Sequence, residues 1–293
     1  MLQLLPALVI PYPMIDPVLI EIGPLAIRWY ALAYVAGILL GWWYAIRLTK
    51  KASLWTQWGG HPPMSAPQVD DFILWATLGI ILGGRIGYIL FYGLIYQPQM
   101  YADPMQWIRI WEGGMSFHGG LIGVIVAIML FSIIKRLDMV RVGDLVASVV
   151  PIGLFTGRIA NFVNGELYGK PSDVPWSMVF PVRTDAAGRI LSDPGPMSRH
   201  PSQLYEALLE GVVLFIILRI LATRFRAFDR PGVIVAAFLF FYGLFRIIGE
   251  FYRESDQLIG DGSVSMGQAL SAAMFVGAAF FAWWAWRHKP SAA

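Results

Sequence analysis

Five ionisable residues fall inside long apolar runs of this sequence: Arg85, His118, Arg158, Arg246 and Glu250. Charged side chains are costly in hydrocarbon and, where they occur there, mark function by default. Arginine offers a planar, permanently charged fork of donors that matches the oxygens of a phosphate. Several arginines at one depth therefore suit a phosphorylated lipid headgroup. The structural alternative is arginine that snorkels to water or pairs with a carboxylate. Glu166, Glu206, Glu210 and Glu250 are the partners available for that. Tyr242, Arg246 and Glu250 recur every fourth residue and share a helix face, with Arg253 near the same face. Gln203, Glu206 and Glu210 form a second stripe. For these glutamates a structural role and a substrate role stand equally open, because buried charges need partners in either case.

His118 lies in the run Gly113-Gly114-Met115-Ser116-Phe117-His118-Gly119-Gly120. Glycine allows another group to approach the backbone closely. A desolvated imidazole stays neutral and can accept a proton. The other histidines, His61, His200 and His288, are distant in sequence, so no metal site is expected. There is no Gly-x4-Gly-Lys loop, no Gly-x-Ser-x-Gly elbow, and nothing that argues for nucleic acid. With no cysteine, the chain has no disulfide, thiolate metal site or cysteine nucleophile, and is not itself lipidated on cysteine.

These residues need helices in a membrane to position them. The chain has 293 residues, 57% hydrophobic and 14% charged, against about 25% charged in a soluble domain. Mean hydropathy is +0.60, so the chain needs an apolar solvent. Runs of roughly 20 apolar residues predict seven spans at about 25–46, 72–95, 117–134, 142–160, 204–222, 232–251 and 264–286. The expected architecture is an all-α polytopic membrane protein, one integral-membrane domain over 1–293, whose longest outer loop, about 161–203, forms a small cap. The segment before Asp16, broken by Pro6, Pro11 and Pro13, reads as interfacial. Residues 1–24 lack Lys and Arg, so no cleaved leader is expected.

Basic clusters at Arg47/Lys50/Lys51, Lys135/Arg136/Arg141, Arg224/Arg226/Arg230 and Arg287/Lys289 fall on one side if the N-terminus is outside and the C-terminus inside. Trp107 and Asp185 are then outside. Lys170, Arg183, Arg189 and Arg199 in the longest outer loop are exceptions. At about 1.5 Å per residue, Arg85 lies roughly 21 Å, Arg158 roughly 24 Å and Arg246 roughly 21 Å from the inner ends of their spans. All three pass the midplane of a core about 30 Å thick. Arg28, Tyr30 and His118 open their spans at that outer level. Glycines four apart at Gly37/Gly41, Gly79/Gly83/Gly87, Gly119/Gly123 and Gly153/Gly157 predict close helix packing.

The stretch Gly157-Arg158-Ile159-Ala160-Asn161-Phe162-Val163-Asn164-Gly165-Glu166 closely resembles the signature of prolipoprotein diacylglyceryl transferases. Arg28-Trp29-Tyr30, Gly83-Gly84-Arg85-Ile86-Gly87-Tyr88, the Gly113–Gly123 run, Arg199-His200-Pro201-Ser202-Gln203-Leu204-Tyr205-Glu206 and Tyr242-Gly243-Leu244-Phe245-Arg246 follow in that family's order. The likeness runs from about Asp16 to Lys289. Trp55–Pro63 is longer than usual, and Ala160 stands where glycine is common; neither departure touches a polar group.

The resemblance implies an all-helical seven-span bundle with a small periplasmic head at about 161–203, in a bacterial inner-membrane enzyme that moves the diacylglyceryl group of phosphatidylglycerol to the lipobox cysteine of a preprolipoprotein, releasing glycerol 1-phosphate without a cofactor. It implies catalytic roles for His118, Arg158 and Arg246, and lipid contacts from Tyr30, Arg85, Arg158, Asn161 and Arg246. Glu166, Gly169, Glu206, Glu210, Tyr242, Glu250 and Arg253 are expected to support them. The competing reading is a small-anion transporter. That class usually places its cations near the midplane within inverted repeats, and no repeat is visible.

Overall fold

The computed structural model describes residues 10–23, 25–96, 99, 101, 103–110, 113–184, 190–254, 258–259 and 264–288. Pro6, Asp185, Arg189 and Lys289 lie outside them. The chain forms two compact units, Met1–Trp43 with Ala147–Ala293, and Tyr44–Val146.

Short strands β1 (Ile10–Pro11), β2 (Val18–Ile22) and β3 (Leu25–Arg28) precede helix α1 (Trp29–Thr49). The first span thus begins four residues later than its apolar run. Gly23 turns the chain at φ +60°, and Leu25–Arg28 pairs antiparallel with β2 instead of joining the helix. Helix α2 (Ala66–Tyr88) opens on a Ser65/Gln68 capping box and continues through π-helical turns at Ile89–Gly93. Two short helices, α3 (Leu94–Tyr96) and α4 (Met105–Ile108), lead toward α5 (Phe117–Lys135). The expected fourth span consists of α6 (Met139–Ala147) and α7 (Val150–Asn164), divided before Pro151. Strands β4 (Met178–Val179), β5 (Arg183–Thr184) and β6 (Ile190–Ser192) follow.

Helices α8 (Ser202–Glu206) and α9 (Leu214–Arg224) are joined by π-helical turns at Ala207–Val213 into one continuous rod. The chain ends with α10 (Val233–Tyr252), the hairpin of β7 (Leu258–Ile259) and β8 (Val264–Ser265), and α11 (Met266–Arg287). Among the described residues the strands form four two-stranded sheets, so the expectation of an all-α chain needs this small correction. β1 pairs parallel with β4, tying the N-terminal segment to the region after α7.

Among the described residues, six helices are long and apolar enough to cross a membrane: Trp29–Thr49, Ala66–Gly93, Phe117–Lys135, Met139–Asn164, Val233–Tyr252 and Gly267–Arg287. Their outward faces are apolar, as at Leu39, Leu74, Leu82, Ile133 and Val276, which are all exposed. Such faces suit lipid rather than water. The expected fifth span, 204–222, falls on the α8–α9 rod. Any stretch of it long enough to cross contains three of Glu206, Glu210, Arg219 and Arg224, which separates it from the other six.

Glycine spacing settles the packing within each unit. Helices α2 and α5 meet along Gly79, Gly83, Gly87, Gly119 and Gly123. A methyl on Gly83 would strike the Gly119 carbonyl, and one on Gly87 would sit 2.6 Å from Gly119 Cα. Gly37 meets Thr156 on α7 in the same way. Gly153 and Gly157 differ: a methyl on either would meet nothing within 4 Å. In the stretch Trp55–Pro63, buried Trp55 donates its Nε1–H to the Leu48 carbonyl at 3.1 Å. Arg141 stacks 4.0 Å over Trp58 in the same unit.

Candidate active site

Three glutamates and three arginines meet among α7, the α8–α9 rod and α10. Glu206 and Glu210 stand four apart across the start of the π-helical turns, and both are fully buried. π-Helical turns inside α-helices often mark functional sites. A methyl on Gly211 in those turns would sit 2.6 Å from Phe155 Cβ, so the rod and α7 are in close contact there. Arg158 of α7 donates Nε–H and Nη2–H to Glu210 Oε2 at 3.3 and 3.1 Å, and its Nη1 lies 3.1 Å from Glu206 Oε2. Arg246 of α10 places Nη1 2.5 Å from Glu206 Oε1 and Nη2 2.8 Å from Glu250 Oε1. Arg253 reaches Glu206 at 3.8 Å. Gly267 of α11 backs this network; a methyl there would strike the Glu250 carboxylate. The first turn of α11 thus sets its positive dipole end beside that anion.

The carboxylate pairing foreseen as the structural alternative is therefore present. Its hydrogen bonds at Arg158 occupy two of the five N–H donors that a guanidinium carries, and Glu206 adds an ion pair. The side chains of Arg158 and Arg246 keep 15% exposure, whereas Glu206 and Glu210 keep 1% and none. The arginines thus keep some exposed surface while the glutamates that pair with them keep almost none. Tyr242, one turn before Arg246, interacts electrostatically with Glu210 and both arginines. The helix-face argument for Tyr242, Arg246 and Glu250 is realised as the i, i+4 ion pair.

Beyond Arg158, helix α7 ends at Gly165, which is left-handed at φ +63°. The turn brings Glu166 back on Asn161, whose Nδ2–H donates to Glu166 Oε1 at 2.7 Å. Gln203 donates to the Glu166 carbonyl at 2.7 Å. Tyr30, from the first turn of α1, shares a 3.3 Å hydrogen bond with Tyr34 and interacts with Asn161 and Glu166. Gly169 has no room for a side chain: a methyl would lie 2.7 Å from His200 Cβ and closer still to the Tyr252 carbonyl. Arg253 pairs with Gly169 across a β-bridge, which joins the end of α10 to this loop.

Three of the four basic residues that ran against the expected charge pattern, Lys170, Arg183 and Arg199, are tied down locally, and Arg189 lies outside the described residues. Lys170 donates to the carbonyls of Glu250 and Phe251 at the end of α10, at 3.2 and 3.1 Å. Arg183 bonds the Val163 and Ile15 carbonyls beside Tyr12, which itself donates to Phe162 O at 2.5 Å. Arg199 bonds Pro194 O, Gly169 O and Glu254. These charges close helix ends and loops, a use that charge counting along the sequence does not reveal. His200 accepts or donates at Nδ1 with Tyr205 OH, 3.1 Å away, and burial pushes its imidazole below the ordinary value.

His118 and Arg85 belong to the other unit. Ser116 caps α5 by accepting from Gly119 N at 3.2 Å, which puts His118 in the first turn. Its ring meets Phe117 edge-on, with centroids 5.6 Å apart, and makes no hydrogen bond among the described residues. Arg85 is buried at 5% exposure and donates to the carbonyls of Gln106, Trp107, Gly113 and Gly114. Hydrogen bonds to charged groups contribute roughly 1.5–3 kcal/mol each. Arg85 is thus fastened to backbone carbonyls from two segments of the chain. Among the described residues, no group of three His, Asp or Glu is arranged to hold a metal.

Apolar helices with a buried arginine–glutamate network among them define a multi-pass helical membrane protein. Its sequence matches the profile of prolipoprotein diacylglyceryl transferase over residues 17–284. It is 52% identical over 280 residues to the phosphatidylglycerol–prolipoprotein diacylglyceryl transferase of Phenylobacterium zucineum, covering 94% of each chain. The enzyme of the same name from Rhodospirillum rubrum is 54% identical over 271 residues, 91% of each chain. That from Rhodopseudomonas palustris is 50% identical over 276 residues, 93% of this chain and 90% of the other. The chain belongs to the prolipoprotein diacylglyceryl transferase family.

Proposed function

We propose that this protein transfers the diacylglyceryl group of phosphatidylglycerol to the lipobox cysteine thiol of a prolipoprotein, the first step of lipoprotein maturation. Similarity over more than nine-tenths of the chain to transferases bearing that name carries the reading. The chemistry needs a thiolate, because a thiol of pKa about 8.5 is mostly protonated near neutral pH. We assign removal of that proton to His118. The sulfur then forms a bond to the terminal glyceryl carbon of the lipid as that carbon's bond to the phosphate oxygen breaks. The electron pair leaves with glycerol 1-phosphate. Arg158 and Arg246, with the Asn161 amide and Tyr30 hydroxyl, are assigned to the phosphate, where negative charge grows and fixed donors lower the barrier. Glu206, Glu210 and Glu250 hold the guanidiniums, Arg253 pairs with Glu206, and Tyr242, Glu166 and Gly169 brace their surroundings. No cofactor enters, and the one thiol required is the substrate's.

The proposal includes seven spans, with the α8–α9 rod as the fifth, in the bacterial inner membrane. The N-terminus and head are periplasmic and the basic loop ends cytoplasmic. Cysteines introduced singly at Lys50, Arg136, Arg226 and Trp107 test the direction: only the last should react with an impermeant reagent in intact cells. For the function, purified protein is incubated with phosphatidylglycerol and a lipobox peptide. A diacylglyceryl mass increase on the cysteine peptide, absent from its serine counterpart, is expected because an alcohol is the poorer nucleophile. Anion uptake by proteoliposomes without peptide modification would favour the transporter.

A further inference from the structure

We infer that Arg85 is a positioning residue that clamps the chain ahead of α5 and so fixes where His118 is presented. The inference rests on the proposed role of His118. Arg85 Nε donates to Trp107 O at 3.1 Å, Nη1 to Gly113 O at 2.7 Å and Gly114 O at 3.1 Å, and Nη2 to Gln106 O. Four of its five donors are therefore occupied by carbonyls from two separate segments. Gln106 and Trp107 belong to the last turn of α4, where carbonyls lack helical partners and carry the negative dipole end. Gly113 and Gly114 are left-handed, at φ +90° and +79°. A methyl on Gly114 would sit 2.9 Å from Arg85 Nη1 and 2.7 Å from the Tyr88 ring, so glycine lets the carbonyl approach the guanidinium.

The tie continues on both sides of His118. Ser116 N donates to Gly84 O at 2.8 Å, next to Arg85 in the sequence. Gly119 packs into the Gly83/Gly87 seam of α2. The imidazole makes no hydrogen bond of its own among the described residues. Its place is then set by the backbone that carries it, and that backbone is fastened to α2. Lysine cannot replace the clamp, because one ammonium does not span the four carbonyls that a planar fork reaches.

The test uses the full-length protein in detergent. Arg85→Gln and Arg85→Lys should both lower kcat at least tenfold, with KM for phosphatidylglycerol unchanged within about twofold, as expected when alignment alone is lost. The chain has no cysteine, so single thiol reporters are clean. A Met115→Cys reporter should label several-fold faster in the Arg85→Gln background, while a Lys50→Cys reporter in the same unit keeps its rate. A raised KM for phosphatidylglycerol with kcat intact would make Arg85 a phosphate ligand and overturn the inference. Equal labelling of Met115→Cys with and without Arg85, or faster labelling of both reporters together, would overturn it too. The labelling result does not depend on catalysis. If wild-type protein transfers nothing, the proposed function fails while the clamp is still tested.

Discussion

Glu206 is the residue on which the arginine network turns, and Glu206→Gln is its sharpest perturbation. The carboxylate lies 3.1 Å from Arg158, 2.5 Å from Arg246 and 3.8 Å from Arg253, at 1% exposure. Glutamine keeps the shape, and its carbonyl still accepts from one arginine. Its amide turns donors toward the other. The variant thus forfeits about one charge-assisted hydrogen bond, roughly 1.5–3 kcal/mol. At 1.36 kcal/mol per tenfold, that corresponds to about a ten- to hundredfold slower transfer if the loss falls wholly on the transition state. Removing one partner of a buried ion pair also destabilises, by up to about 3–5 kcal/mol. Transfer to a lipobox peptide is followed by mass spectrometry, with thermal unfolding measured on the same preparation. Wild-type rate and unfolding midpoint together would refute the claim that Glu206 orients the arginines. A lowered midpoint with a wild-type rate would make the cluster structural only.

Arg158→Lys and Arg246→Lys keep the charge but lose the fork. Each should slow transfer by about a hundred- to thousandfold, roughly 2.7–4 kcal/mol, while the exposed Arg219→Lys stays near wild type; near-normal turnover in both would remove them from the phosphate. His118→Asn should slow transfer and flatten its pH dependence, and an unchanged profile would exclude His118 as the base. Gly123→Ala drives a methyl into the Gly79 carbonyl across the α2–α5 seam and should cost about 1–3 kcal/mol in unfolding. Gly153→Ala, whose methyl meets nothing, should not destabilise. The lowered His200 pKa means the folded imidazole holds its proton less tightly than the unfolded one. His200 therefore takes stability away as pH falls below about 6.5, and His200→Gln should make the unfolding midpoint less acid-sensitive; an identical pH slope would contradict this.

The helices and the polar stripes were legible because both rest on periodicity. Four-residue spacing put Arg246 over Glu250 and Glu206 in line with Glu210, and both alignments are realised. The sequence could not say which carboxylate meets which arginine, because Arg158 and Glu206 come together only by tertiary packing. The surroundings of Arg85 were hidden for a related reason. Its type and apolar setting are those of Arg158, yet backbone carbonyls occupy it, and carbonyls leave no mark in a sequence. The π-helical turns at Ala207–Val213 break the 3.6-residue count without any proline to announce them. Strand β3 was hidden in the apolar run that starts at Leu25, where hydropathy alone does not separate a hairpin from the start of a span. Gly153 and Gly157 carry the same spacing as Gly79 and Gly83 but point their missing side chains at open space.

The central claim is that a substrate thiol displaces phosphate from the glyceryl carbon of phosphatidylglycerol. Quantifying both products of one reaction tests it most directly: the modified peptide by mass and the released water-soluble phosphate by its identity. A diacylglyceryl thioether on the cysteine and glycerol 1-phosphate are expected in equal amounts, neither formed without the other. Phosphorus retained on the peptide, or glycerol phosphate released with the peptide unmodified, would contradict it.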